Sequence, residues 1–237
     1  MRKESYGIGN IVHVYNRGNR KQEIVRDNLD RFRFLQALFY FNDEYSCPNP
    51  FRTLEDLLKP GFNKTIVWPK EWPKRRPLVK VLAYILKDNH FHLILEEIKE
   101  NGIARFMHKF GTGVTNRFNT RYQEVGRLFQ GPYKLKVVDN NNYLTYLSIY
   151  LHIKNAFEIY PGGMNKALKN FDKAYEFAEK YPYSSFADYI VKNKWKIIGQ
   201  DNLISKLMEN KKDFKKLAKN CLFNLEFNEK NMNFSSC

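Results

Sequence analysis

Residues 8–16, IGNIVHVYN, alternate apolar and polar positions and are rich in β-branched side chains, which predicts a strand. In 27–41, DNLDRFRFLQALFYF, Leu29, Phe32, Leu35, Leu38 and Phe39 recur at helical spacing behind Asp27, a helix-capping residue type. The pattern then breaks. Residues 42–76 contain the clusters SCPNPF, KPGFNK and WPKEWPKRR and read as an irregular insertion with one short helix near Leu54–Leu58. Regular patterning resumes at 79–86, VKVLAYIL, an apolar run suited to a buried strand. A tight turn through Lys87, Asp88 and Asn89 leads to a second strand, HFHLILEEI, and so predicts a hairpin. A helix over 101–122 carries Ile103, Phe106, Met107, Phe110, Val114 and Phe118 on one face, with Gly111 and Gly113 marking a bend or a close backbone approach. A short strand at 133–138 and an Asn-capped helix at 140–156 complete the series.

The order β-α-(insertion)-β-β-α-β-α contains the ferredoxin-like βαββαβ pattern, an α+β fold with an antiparallel sheet and one further helix after the last strand. Beyond Pro161-Gly162-Gly163 the chain turns Lys-rich and helical over 164–220, with the aromatic stretch YPYSSFADY at 181–189. The final NLEFNEKNMNFSSC reads as frayed. The expected organisation is a domain over 1–160 and a C-terminal helical accessory segment over 161–237. Tyr181, Tyr183 and Phe186 are expected to pack that segment onto the core.

Composition narrows the class of protein. With 237 residues and 43% apolar content, the chain can bury a core. No apolar run reaches the ~20 residues of a membrane span, and the first residues lack a signal-peptide stretch, so a cytoplasmic location without a membrane partner is expected. Cys47, Cys221 and Cys237 are scattered and odd in number, against a disulfide framework or a Cys-rich zinc site. The net charge is +15, spread over the whole chain without a basic tail. Such an excess suits a polyanionic partner, foremost nucleic acid.

Two groups of side chains could carry chemistry. His90 and His92, two apart at the start of a strand, project to one face while Phe91 points to the other. That is a two-imidazole start for a divalent metal, or simply two polar residues on a wet sheet face. His13, His108 and His152 are not spaced to make a three-histidine zinc site with one another. Tyr143, Tyr146 and Tyr150 lie on one helix, where packing is the ordinary reading of a tyrosine stripe. A phenol with pKa ~10 is a poor nucleophile near neutrality unless assisted. Lys154, one turn after Tyr150 on the same helix face, would favour the phenolate, modestly if the pair faces solvent.

Several stretches together are more specific. VHVYNRGNR at 12–20, AYILKDNHFHLIL at 83–95, GIARFMHKFGTGVTNRFNTRY at 102–122, GRLFQGPYK at 126–134, YLHIKNA at 150–156 and YSSFADY at 183–189 resemble, in order, the REP-associated tyrosine transposases, a branch of the single-tyrosine HUH transposases. The resemblance covers most of the chain outside 42–76. It implies that His90 and His92 are the family's metal-binding histidines, that Tyr150 is its nucleophile, and that Tyr143 and Tyr146 return to packing. Two departures stand out. Where the family carries Asn or Gln four residues after the tyrosine as a third ligand, this chain has Lys154, with Asn155 one later. In a regular helix of about 100° per residue, Asn155 would be rotated well away from Tyr150, so either the helix distorts or ends there and returns Asn155 to the site, or the metal has two protein ligands and waters. Pro132 also stands where an arginine is common.

The resemblance implies cleavage and rejoining of single-stranded DNA beside a hairpin, through a 5′-phosphotyrosine at Tyr150 with Lys154 assisting. Mg²⁺ or Mn²⁺ would sit on His90, His92 and Asn155, in a monomer or homodimer. Expected DNA contacts are Asn16, Arg17 and Arg20 at the end of the first strand, and Arg117 and Arg121 one turn apart on the second core helix. Two other classes remain compatible with the same fold and charge: a catalytically inactive, domesticated DNA-binding protein, and a metal-independent endoribonuclease using histidine as base. An RNA-recognition module is disfavoured, because the central strands lack the aromatic segments it requires.

Overall fold

A computed structural model describes residues 5–47, 50–57, 66–191, 195–199 and 202–223. The expected fraying of 224–237, Cys237 and the end of the insertion helix at Leu58 lie outside the described residues. Strand β1 (Ile11–Arg17) leads through a loop to α1 (Asn28–Tyr40), and α2 (Pro50–Leu57) follows within the insertion. The hairpin comprises β2 (Val79–Leu86) and β3 (His90–Glu97). Next come α3 (Gly102–Tyr122), β4 (Lys134–Val138) and α4 (Asn141–Ile149). After a π-turn at Tyr150–Lys154 come α5 (Asn155–Glu158), α6 (Gly163–Lys169), α7 (Phe171–Lys180), α8 (Ser185–Val191), α9 (Leu203–Met208) and α10 (Lys211–Phe223).

The helix starts follow local chemistry. Asp27 Oδ1 accepts the Asp30 amide at 2.9 Å and Asn140 Oδ1 accepts that of Tyr143 at 2.8 Å. The strands form one antiparallel sheet in the order β2-β3-β1-β4, the ferredoxin-like arrangement. Of the two readings of the α3 glycines, close approach holds at Gly113, where a Cβ would stand 2.3 Å from the Phe41 ring. Gly111 faces open space, and α3 runs unbroken.

Each sheet face has its own core. Val12, Val14, Phe91, Leu93 and Leu95 pack with α1 and α3 on the first face. On the second, Ala83, Ile85 and Ile94 pack with α4, the π-turn and α5, in one core with side chains of α6, α7, α9 and α10. Residues after 160 therefore build directly onto the sheet. The β2 edge, which would otherwise offer free backbone groups, is covered by the YSSFADY stretch. Leu86 N donates to Tyr183 O (2.9 Å), Tyr84 N to Ser185 Oγ (2.9 Å) and Tyr189 Oη to Leu82 O (2.6 Å). Tyr181 Oη donates to Leu86 O at 2.8 Å and Phe186 is fully buried, so both serve packing.

Candidate active site on the second sheet face

Strand alternation puts His90 and His92 of β3 on the second face together with His13, Tyr15 and Arg17 of β1. His92 pairs with Tyr15 and His90 with Arg17. The two β3 imidazoles stand edge to face with ring centroids 5.3 Å apart. His90 Nδ1 lies 2.6 Å from Asn89 Oδ1; as an amide oxygen can only accept, the proton is on Nδ1 and the lone pair is on Nε2. His92 Nδ1 lies 2.9 Å from His13 Nε2, and the tautomer in which His92 donates leaves its Nε2 as an acceptor. That Nε2 is buried and has no hydrogen-bond partner among the described residues. Burial, aided by Lys87, holds the pKa of His90 down at about 3. Burial together with His13 and His90 holds His92 well below its usual range. Both rings are therefore neutral near pH 7, the form that ligates metal.

The helix after β4 approaches this face and does not stay regular. The Asn155 amide bonds back to Tyr150 O, five residues earlier, and Asn155 Nδ2 donates to the same carbonyl at 2.9 Å. This single wide turn takes up one extra residue, and π-bulges of this kind recur at functional sites. The helix is distorted at this turn, and Asn155 is buried with its Oδ1 lacking a partner among the described residues. The Tyr150 ring meets His92 edge to face at 5.3 Å and His13 at 6.5 Å.

Lys154 Nζ lies 5.1 Å from the Tyr150 ring centroid and 2.8 Å from Glu158 Oε1, and Lys87 pairs with the same carboxylate. Burial raises the Glu158 pKa, but the two ammonium groups outweigh it and hold the carboxyl below its usual range. The expectation of a solvent-facing Tyr150–Lys154 pair is corrected: Tyr150 is 5% and Lys154 9% exposed. The packing of α5 and the later helices against the turn, invisible to helical spacing, encloses them.

Among the described residues no three His, Cys, Asp or Glu side chains gather where a metal ion could sit. The candidate set His90, His92 and Asn155 draws its third donor from an amide. Two of its atoms, His92 Nε2 and Asn155 Oδ1, are buried and unsatisfied, a costly state that a bound cation would relieve. An imidazole nitrogen and an amide oxygen are donor types that a divalent ion accepts.

The expected DNA contacts do not form one surface. Arg17 belongs with His90, and its Nε is buried without a hydrogen-bond partner among the described residues. Arg20 lies exposed on the following loop at φ 52°. Gly18 is required there, because a Cβ would stand 2.0 Å from Gln22 O. Asn16 faces the opposite side of the sheet, where its Nδ2 donates to Gly131 O at 3.0 Å. Arg117 lines a cavity on that first face. Arg121 donates to Asp27 Oδ1 at 2.9 Å and also pairs with Asp30, tying α3 to the start of α1. His13, Glu158 and Lys87 were not foreseen. His13 was legible only as a polar residue on the same alternation as Tyr15; its partner is 79 residues away.

No family model matches the chain, and no curated protein matches it. Among solved structures, that of a REP-associated tyrosine transposase bound to a REP hairpin is similar, with a TM-score of 0.45 and 11% identity over 86% of this chain and 92% of the other. Among the described residues no helix is long and apolar enough to cross a membrane.

Proposed function

We propose that this protein cleaves and rejoins single-stranded DNA beside a hairpin, with Tyr150 as nucleophile. The observation that carries the reading is the π-turn, which sets Tyr150 against His92 and leaves Asn155 Oδ1 and His92 Nε2 buried and unsatisfied. The motif resemblance from VHVYNRGNR to YSSFADY and the net charge of +15 support the choice of substrate.

In this reading Tyr150 Oη gives up its proton and attacks the scissile phosphorus, the O–P bond to tyrosine forms, and the bond to the 3′ oxygen breaks. The 3′ oxygen takes up a proton and the 5′ phosphate stays on the protein. Attack by a 3′ hydroxyl on that phosphotyrosine reverses the step without ATP. His90, His92 and Asn155 would hold Mg²⁺ or Mn²⁺, which when bound polarises a non-bridging phosphate oxygen. The Asn155 amide and side chain fix the Tyr150 carbonyl, Lys154 sits over the ring as a positioning cation, and Arg17, paired with His90 across the strands, would contact phosphate.

The test is incubation with a hairpin carrying single-stranded flanks, with Mn²⁺ and then with EDTA, followed by denaturing electrophoresis for a covalent adduct. Tyr150→Phe is expected to remove the adduct and preserve hairpin binding. Lys154→Met should slow adduct formation at unchanged affinity, with Lys154→Arg restoring much of it. An adduct persisting in Tyr150→Phe overturns the assignment. Hairpin binding without any adduct favours the inactive DNA-binding reading, and EDTA-insensitive RNA cleavage favours the endoribonuclease.

A further inference from the structure

The insertion that interrupts the fold between α1 and β2 is not idle on the surface. With α1 and α3 its described residues line a cavity of about 760 Å³ on the first sheet face, the side opposite Tyr150. The described lining carries Arg33, Arg52, Lys109 and Arg117 against one carboxylate, Glu55. Lys109 is engaged with the insertion backbone, donating to Tyr45 O at 2.6 Å. The guanidinium groups are the ones that concentrate positive charge. Arg33 is only 5% exposed, donates to Gln36 Oε1 at 2.6 Å, and has its pKa pulled down to about 10 by burial and by Arg117. Glu55 opposes part of that depression, and Arg52 and Arg117 share the same lining.

Part of the remaining wall is aromatic. Tyr45 and Trp72, both from the insertion, stand with ring centroids 5.3 Å apart, and Tyr40 lies 6.1 Å from Trp72. Trp72 is half-buried, so part of its ring surface remains accessible. A second hollow of about 520 Å³ shares His108, Thr112 and Asn116 of α3 with the first and reaches Asn16, at the end of β1 whose next residue is Arg17. The two hollows adjoin along α3 on the first sheet face.

We propose that this cavity captures an unpaired nucleotide, its base stacked on the Trp72–Tyr45 wall and its phosphate on Arg33, Arg52 and Arg117. Planar rings over aromatic side chains beside guanidinium groups are the elementary recipe for holding single-stranded nucleic acid. The proposal rests on the DNA reading of the Tyr150 site and deepens it: the insertion supplies a second, non-catalytic anchor that fixes how far the strand is held from the cleaved phosphate.

The test compares three probes on the full chain: a blunt hairpin, the same hairpin with single-stranded flanks carrying 2-aminopurine, and dAMP as a competitor. Wild type should bind the flanked hairpin about tenfold more tightly than the blunt one and quench the 2-aminopurine on binding. Trp72→Ala should remove the quenching, and Arg52→Gln, at an exposed position, should remove most of the flank preference. Arg117→Gln should do the same. Competition by dAMP that these variants lose would identify the free nucleotide as sufficient, and flank preference without it would identify the strand as the source; both support the cavity. Equal affinity for blunt and flanked hairpins, or flank preference unchanged in all three variants, overturns it. Adduct formation on the flanked hairpin is scored in parallel. An adduct without flank preference discards the cavity alone, whereas absence of any DNA binding discards both readings.

Discussion

His152, within the π-turn, is fully buried, with Nδ1 3.2 Å from Ser148 Oγ and Nε2 2.7 Å from Ser185 Oγ, stacked on Phe186 at 5.5 Å. Ser185 continues the network to the Tyr84 amide and carbonyl of β2. The enclosure makes this histidine structural, despite its place within the YLHIKNA stretch. Burial depresses its pKa from 6.5 to about 3, so the folded state disfavours protonation. The stabilising contribution of the neutral ring is complete above about pH 6.5 and is lost as pH falls toward 3, at up to ~1.4 kcal/mol per pH unit while only the unfolded state binds the proton. His13 follows the same rule, depressed to about 3 by burial and by Lys136. Urea unfolding at pH 7 and pH 5 should therefore show a loss of stability on acidification that is smaller in His152→Gln. An identical pH dependence in the variant would mean that the ring protonates without leaving its site.

At the scale of elements, boundaries and caps were legible because they depend on a few neighbouring residues. Asp27 and Asn140 cap where their types predict, and β2, β3 and α3 lie within a residue or so of the periodic runs that encode them. The expected helix over 140–156 was right in position and wrong in regularity, since its π-turn answers to packing on the sheet. Arg121 shows the same limit. Its spacing from Arg117 suggests a paired phosphate contact, but it instead joins Asp27 and Asp30, and Tyr122 Oη donates to Asp30 Oδ2 at 2.6 Å in the same cluster. The arginine depresses the Asp27 pKa to about 2. Arg121→Gln is expected to destabilise the protein by about 2 kcal/mol, because Asp30 is buried and loses a charged donor. Its salt dependence of DNA binding should match wild type; a flatter slope would return Arg121 to the DNA surface.

For the whole molecule, charge is the dominant feature. A net +15 spread along the whole chain should give DNA affinity that falls steeply with salt through counterion release. Each lost phosphate contact on a single strand flattens the log–log slope by roughly 0.7. Arg17→Gln and Arg117→Gln should each do so, the first at the site of His90 and the second at the cavity of the opposite face. Titrations by fluorescence anisotropy between low and physiological salt check this. Slopes equal to wild type would leave both residues as solvated surface charges.

The amino-acid sequence by itself determined what depends on short separations: the alternation that makes the strands, the helical spacing of α1 and α3, the caps, and the shared face of His90 and His92. These need only backbone geometry and side-chain periodicity, which act within a few residues. Tertiary structure alone decided what joins distant positions. It brought His13 to His92, buried Lys154 against Tyr150 and Glu158, and made described residues of the Pro-rich insertion part of the wall of a cationic cavity. The physical reason is that strand register and the packing of helices onto two sheet faces are set by burial summed over the whole chain. Which polar groups that burial leaves unsatisfied at a site becomes visible only once the faces have closed.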